Sequence, residues 1–429
     1  MLATALALAA GAGLLAGLAP AWRFSRTDPQ RALQQRSANA TDAGGTVAWR
    51  NRLVIAQVAA TVVLVSAALL LTRSLVRLMQ VDLGYHPESV LTAELSVDMD
   101  QSGADLRGVL FAHLQDQPWV KAVGAIHSVP LTGTWTIRDG FGIKGQPEPR
   151  DGRRQAALSF IGFDTFQAMD IPLRRGRTFD RQESLDTDNA PVAIVNESFA
   201  RRYFPDADAL GQVILAPGTR ERRIVGIVQD TRDLRMEDAT EPQLYLPLVL
   251  GDLKLVVQTA GDPAQFAAEL PRAIAAVDPR VLVSRVTPMS AIVSGLLAER
   301  RFVVVLLTGF AAMALLVGGV GIYGVLAYAV VQRGREIGIR TALGAQVRDI
   351  VVMILAHGAR LTWPGAVLGL GGAFVLLRFL ESQLFELTAN DRASYAGAVG
   401  VVGIVALIAT LVPARRAAKV DPLTALRTE

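Results

Sequence analysis

The 429-residue chain has no cysteine, which excludes disulfides and every thiolate metal or redox centre. Any exported part must therefore be held by its own apolar core. No G-x-x-x-x-G-K-[ST] phosphate loop occurs, so the usual nucleotide cradle is missing. H-E-x-x-H and G-x-S-x-G are absent as well, and His86, His113, His127 and His357 show no metal-ligand spacing. Acids are missing from all five long apolar runs, so a proton or ion path through a membrane has no residue to carry it.

Those runs dominate what is present. Hydrophobic residues make up 51% of the chain, and the mean hydropathy is positive, high for a soluble protein. The uncharged stretches are Met1 to Trp22, Leu53 to Leu71, Phe302 to Val331, Leu361 to Leu377 and Ala393 to Ala414. At about 1.5 Å per residue each can cross a core of roughly 30 Å, the fourth only just. Residues 72–301 have ordinary polar composition and read as a folded aqueous domain. The net charge of +4 gathers after runs one, three and five. Arg23, Arg26, Arg31, Arg36, Arg50 and Arg52 follow the first, Arg333, Arg335, Arg340 and Arg348 the third, and Arg415, Arg416, Lys419 and Arg427 the fifth. All three clusters fall on one side of a five-span chain, as the positive-inside rule requires, with the large domain on the other. Charge so placed marks a membrane surface and gives no case for nucleic acid.

One phrase occurs near both ends. Leu18-Ala19-Pro20-Ala21-Trp22-Arg23 with Asp28-Pro29 and Ala32-Leu33 returns as Leu411-Val412-Pro413-Ala414-Arg415-Arg416 with Asp421-Pro422 and Ala425-Leu426. Such a repeat suggests a duplicated helix-plus-tail unit. The alternative, a signal peptide, usually has a charged start, and Met1 to Leu15 carries no Lys or Arg.

Gln34 to Trp49 reads as a flexible linker, and the second span is expected to continue outward as a stalk to Met79, with Leu71, Leu75 and Leu78 on one face. The outer domain alternates elements. Strands are expected over Val90–Val97, Val120–Val129, Pro191–Val195, Arg223–Val228, Leu253–Thr259 and Val281–Val286. A helix over Ala104–Gln115 would bury Leu106, Val109, Leu110 and Leu114. Asp262-Pro263 and Thr287-Pro288 mark helix starts, the second helix running from Pro288 straight into span three. Gly318, Gly319 and Gly321 in span three, and the small-xxx-small pair Gly365 and Gly369 in span four, suit close helix packing.

Arg335-Glu336-Ile337-Gly338-Ile339-Arg340-Thr341-Ala342-Leu343-Gly344-Ala345 follows span three. On a helix Glu336 and Arg340 lie one turn apart with the acid first, Ile339 and Leu343 form an apolar ridge, and Gly344 permits a turn before the amphipathic stretch Val347–Arg360. Spacing alone also allows a plain solvated loop. The segment, however, closely resembles the REIGIR-x-ALGA phrase of the MacB/FtsX family of ABC-transporter permeases, and the Pro413–Ala418 ending with Asp421-Pro422 is similar to that family's terminus. Met169-Asp170-Ile171-Pro172, Val192–Glu197, Ile224–Val228 with Asp230, and Tyr245-Leu246-Pro247 resemble the family's periplasmic core domain in the same order.

The resemblance implies a multi-pass α-helical membrane protein of about five transmembrane helices with a large periplasmic α+β domain, in a bacterial inner membrane. It divides the chain into 1–33 (last helix and tail of a preceding unit), 34–52 (cytoplasmic linker), 53–79 (transmembrane helix and stalk), 80–298 (periplasmic core) and 299–429 (three-helix FtsX-like domain with its tail). On this expectation the chain is the second half of a duplicated permease, or a product with a truncated start. The resemblance further implies that Arg335, Glu336, Ile337, Gly338, Ile339, Arg340, Leu343 and Gly344 couple to a separate ATP-binding subunit dimer, with Ile337, Ile339 and Leu343 filling its groove. ATP and Mg would sit on that partner and no cofactor on this chain. A second permease unit would pair with this one, and the cycle would drive export or periplasmic mechanotransmission. Two rivals remain: a non-transporting scaffold, or a membrane-anchored periplasmic enzyme using acids such as Asp98, Asp100, Asp230 and Asp233, which otherwise read as a solvated loop face.

Overall fold

The computed structural model describes residues 43–96, 103–132, 137–149, 152–185, 190–216, 220–233, 235–248, 253–343, 345–379 and 391–417. The first apolar run, the first copy of the repeat and the tail from Ala418 lie outside the described residues, as do residues 380–390 and the acids Asp98 and Asp100.

Among the described residues, four helices are long and apolar enough to cross a membrane: α1 (Ala43–Met79), α5 (Met289–Gln332), α7 (Val347–Phe379) and α8 (Arg392–Ala417). They match the four expected runs that fall among the described residues. Helix α1 begins inside the expected 34–52 linker, because an established helix adds residues such as Thr46, Val47 and Ala48 at little cost. The short helix α6 (Gly334–Ala342) lies between α5 and α7. Pro364 and Pro413 are both accommodated inside helices, as neighbouring helices allow in membranes.

Two compact units result. One holds the membrane segments up to Ala67, Gly309–Phe379 and Arg392 onward. Its close approaches are made by glycine. A Cβ on Gly365 would meet Val58 Cβ at 2.7 Å, and one on Gly369 would meet Val62 Cβ at 2.6 Å and the Ala59 carbonyl at 2.7 Å. Val54, Val58 and Val62 are buried on one ridge of α1, so α1 and α7 pack nearly backbone to backbone, the small-residue contact expected from the sequence. Gly321 faces Gln57 and Gly319 faces Val405 in the same way.

The other unit spans Ala68–Thr308 with Asp391. Its strands are β1 (Val90–Ser96), β2 (Val120–Ile126), β3 (Ile137–Ile143), β4 (Arg154–Phe163), β5 (Leu173–Gly176), β6 (Val192–Asn196), β7 (Val213–Leu215), β8 (Glu221–Val228), β9 (Gln243–Pro247), β10 (Leu253–Thr259) and β11 (Leu282–Pro288). They form one sheet in the order β11-β1-β10-β2-β4-β3-β7-β8-β6-β9, with β5 beside β8. Because β9 also pairs with β4, the last six strands of that path close into a ring. Pairing is antiparallel except for β4–β9 and β6–β8, so the domain is α+β and its topology is not the repeated βαβ crossover that alternation alone suggests. Helices α2 (Gly103–Gln115) and α4 (Glu269–Val277) cover the open end around Phe111, Leu114, Leu255 and Ile274. Helix α3 (Glu197–Tyr203) supplies Phe199 to the ring's core with Phe141, Ile214 and Ile224.

Three local expectations change. Val109 is exposed on α2, and the buried apolar positions are Leu110, Phe111 and Leu114. The stalk buries Leu70, Ser74 and Leu78, and Leu71 is only half-buried. Strand β11 continues through Pro288, so α5 begins at Met289, one residue later than the Thr287-Pro288 signal places it. The β1 register explains this, since Leu91 pairs with Pro288 and Thr92 with Thr287. Asp262 does cap its helix, accepting from the Ala264 amide at 3.0 Å.

Candidate functional site

Helix α6 continues from α5 without losing its backbone bonding: the Ile337 amide donates to the Arg333 carbonyl at 2.9 Å. Glu336 and Arg340 form the expected i,i+4 pair at 2.8 Å, both about half-exposed. Such a pair contributes only about 0.3–0.5 kcal/mol, so it shapes the helix without anchoring it. Arg340 also reaches the Met353 sulfur at 3.1 Å, which ties α6 to the start of α7. The Leu343 amide donates to Ile339 and the Ala345 amide to Arg340, each at 3.0 Å, closing the C-terminal turn.

The apolar residues divide by direction. Ile339 is 45% exposed and Leu343 83%, forming an outward ridge. Ile337 is only 5% exposed and sits in a pocket lined by Leu326, Val330, Met353, Ile354 and His357. It is therefore not available to fill a partner's groove, which corrects that expectation: two residues on a helix differ by about 200° in direction, so Ile337 and Ile339 cannot share one. Gly338 is buried beside it. The backbone of Arg335 belongs to α6, while its side chain and all of Gly344 lie outside the described residues. Met353 and Ile354, which the sequence reading passed over, hold the helix in place. Their signal was present in the buried Ile350, Ile354 and Leu361 spacing of α7.

Of the four acids named from the sequence, the two described, Asp230 and Asp233, are not part of a solvated face. Asp230 accepts from the Ser198 amide and hydroxyl at 2.7 Å each and from Arg201 at 2.6 Å, at the first turn of α3. Asp233 bonds Gln243 Nε2 and lies 3.0 Å from the Thr231 hydroxyl. That hydroxyl is 3.0 Å from Gln243 Oε1 and 3.1 Å from the Tyr245 hydroxyl, which donates to Gln243 Oε1 at 2.7 Å. Thr231, Gln243 and Tyr245 are all buried. Thr231 and Tyr245 bring two hydrogens to four oxygen–oxygen contacts, and a proton on Asp233 would fill a third. Burial pushes the Asp233 carboxyl up, against the pull of its Thr231, Gln243 and Ser159 bonds. Burial and that nearby carboxylate also push up the Tyr85 and Tyr245 hydroxyls.

A raised carboxyl in the native state means the folded chain holds more protons than the unfolded one. Stability should then fall as pH climbs from about 4, the unfolded value, through the raised native value, and stay lower above it. Asp233→Asn, which offers a donor to Thr231 and an acceptor to Gln243, is expected to raise the melting temperature at pH 8. Its advantage should shrink toward pH 4, as melting curves across that range would show; a pH-independent loss would refute the protonated arrangement.

Residues 53–284 match the MacB-like periplasmic core domain and residues 308–422 the FtsX-like permease C-terminal domain. Probable syringafactin export ATP-binding/permease protein SyfD of Pseudomonas syringae pv. tomato is 29% identical over 284 residues, covering 63% of this chain and 42% of SyfD. Macrolide export ATP-binding/permease protein MacB 2 of Aeromonas hydrophila is 29% identical over 305 residues, covering 66% of this chain and 45% of that protein. An uncharacterized ABC transporter permease, YknZ of Bacillus subtilis, is 25% identical over 269 residues, 60% of this chain and 66% of YknZ. The chain thus spans less than half the length of the first two relatives. The crystal structure of the periplasmic region of MacB from Actinobacillus actinomycetemcomitans shares 15% identity over 50% of this chain and 94% of its own, with a TM-score of 0.32, too weak a likeness to add to the assignment. With residues 53–284 and 308–422 matched, most of the outer sheet domain and of the membrane helices, the chain belongs to the MacB/FtsX family of ABC-transporter permeases.

Proposed function

We propose that this chain is the permease part of an ABC transporter in a bacterial inner membrane, coupled through α6 to a dimer of a separate ATP-binding subunit that carries ATP and Mg. The observation that supports it is the outward Ile339–Leu343 ridge on a helix braced by Glu336–Arg340, at an Arg-rich end and between two long apolar helices. A short amphipathic helix of that kind is suited to a groove in a soluble partner. Relatives whose names join ATP-binding and permease functions to export of syringafactin or macrolides support outward transport, with motion of the periplasmic domain as its output. A second permease unit would complete the pair.

Affinity purification of the full chain from native membranes tests this. An ATP-binding subunit should co-purify and hydrolyse ATP, and Glu336→Lys, which reverses the charge beside the ridge, should lower its recovery about tenfold, the size expected for breaking charge complementarity at an interface. Preparations free of any ATP-binding protein would refute the proposal, as would full recovery with Glu336→Lys.

A further inference from the structure

Helices α5 and α8 leave a groove between them, lined by Ala312, Leu316, Gly319, Tyr323, Ile408 and Val412 among others and enclosing about 1090 Å³ out to its open side. Within it the two helices approach closely at one point, where a Cβ on Gly319 would already stand 3.2 Å from Val405 Cγ1. From Ala312 to Tyr323 the groove runs about 16 Å along α5, the depth of one leaflet of a hydrocarbon core of roughly 30 Å. One end is polar. There the exposed Arg416, one turn beyond the lining residue Val412, donates to the Tyr323 hydroxyl at 3.0 Å, which uses one of the five guanidinium N–H groups and leaves the rest for other acceptors.

We propose that the α5–α8 groove binds an anionic phospholipid, with one acyl chain laid from Tyr323 toward Ala312 and its phosphate on Arg416. A bare apolar slot would accept any lipid tail, and the tethered guanidinium is what selects the headgroup. Charge argues against two other occupants. The uncharged Met1–Trp22 stretch offers Arg416 no counter-ion. A second copy packed here about a parallel two-fold axis would set its own Arg416 against this one.

Native mass spectrometry of the full chain, exchanged into vesicles of equal phosphatidylglycerol and phosphatidylcholine, reads the selection directly. Phosphatidylglycerol should be retained preferentially, and Arg416→Gln should cut that preference roughly fivefold, the share of one basic residue. Arg348→Gln, an equal charge change at the start of α7, should leave it intact. Tyr323→Phe, which frees the guanidinium, should weaken it less than Arg416→Gln does. A photo-crosslinker replacing Val320 should capture lipid. Equal losses for Arg416→Gln and Arg348→Gln would reduce the effect to diffuse surface charge and overturn the proposal. So would no preference for phosphatidylglycerol, or capture of another copy or of the Met1–Trp22 stretch by the crosslinker.

Discussion

Ile339→Asp is expected to abolish stimulation of the partner's ATP hydrolysis while leaving the permease folded. Burying an isoleucine side chain is worth about 1.5–3 kcal/mol, and forcing a carboxylate into an apolar groove adds several more. Together these weaken docking by at least about 100-fold. Ile339 is 45% exposed in the isolated chain, against 5% for Ile337, so the fold loses far less when it changes. Ile337→Asp provides the contrast. It would place a charge in the pocket between Val330 and Ile354 and should lower the melting temperature itself. Substrate-stimulated ATPase assays and melting curves on both variants separate the roles. Equal stimulation from Ile339→Asp and the unaltered chain would remove α6 as the coupling element.

The second large effect concerns Gly365 and Gly369. Replacing both with leucine should drive α1 from α7, because even a Cβ would stand within 2.7 Å of Val58 and Val62. Overpacking costs about 1–3 kcal/mol per site, so the pair should cost roughly 2–6 kcal/mol, a large share of a typical total stability. Gly371→Leu and Gly400→Leu are the controls, since a Cβ at either position meets nothing within 4 Å. Melting curves in detergent should show a large drop for the pair and almost none for the controls. Equal drops in all of them would overturn the contact argument, since leucine is a better helix former than glycine and propensity alone gives no drop.

Both predictions show what could be read directly from the sequence. The spans were legible because a membrane demands long uncharged runs, and the glycine spacing that joins α1 to α7 was visible in the same text. Direction on α6 was legible in principle, since Ile337 and Ile339 lie on opposite faces of any helix. The outer sheet was harder. Strands β3 and β5 carry Gly, Arg and Asp, which blur alternation; every residue of β5 is exposed, so no apolar pattern announces it. Strand β9 is buried throughout although it begins with a polar Gln243, whose amide donates to Asn196 Oδ1 at 2.9 Å. Such a partner lies far away in the chain and leaves no local signal. The closing pair β4–β9 is parallel and distant as well, and only the packed fold fixes it. The burial of Asp233 was not legible for the same reason, because its neighbours Ser159 and Gln243 come from two different strands.

The chain enters β1 soon after leaving α1, and β11 hands over to α5 at Met289. The first rungs of that ladder, Leu91 with Pro288 and Thr92 with Thr287, therefore lie at the end where both helices attach. Sideways parting of the two attachment points would peel this ladder one rung at a time, like a zip. Sliding one past the other would load all its rungs together and meet far greater resistance. The outer sheet should thus yield readily to spreading and stand firm against shear.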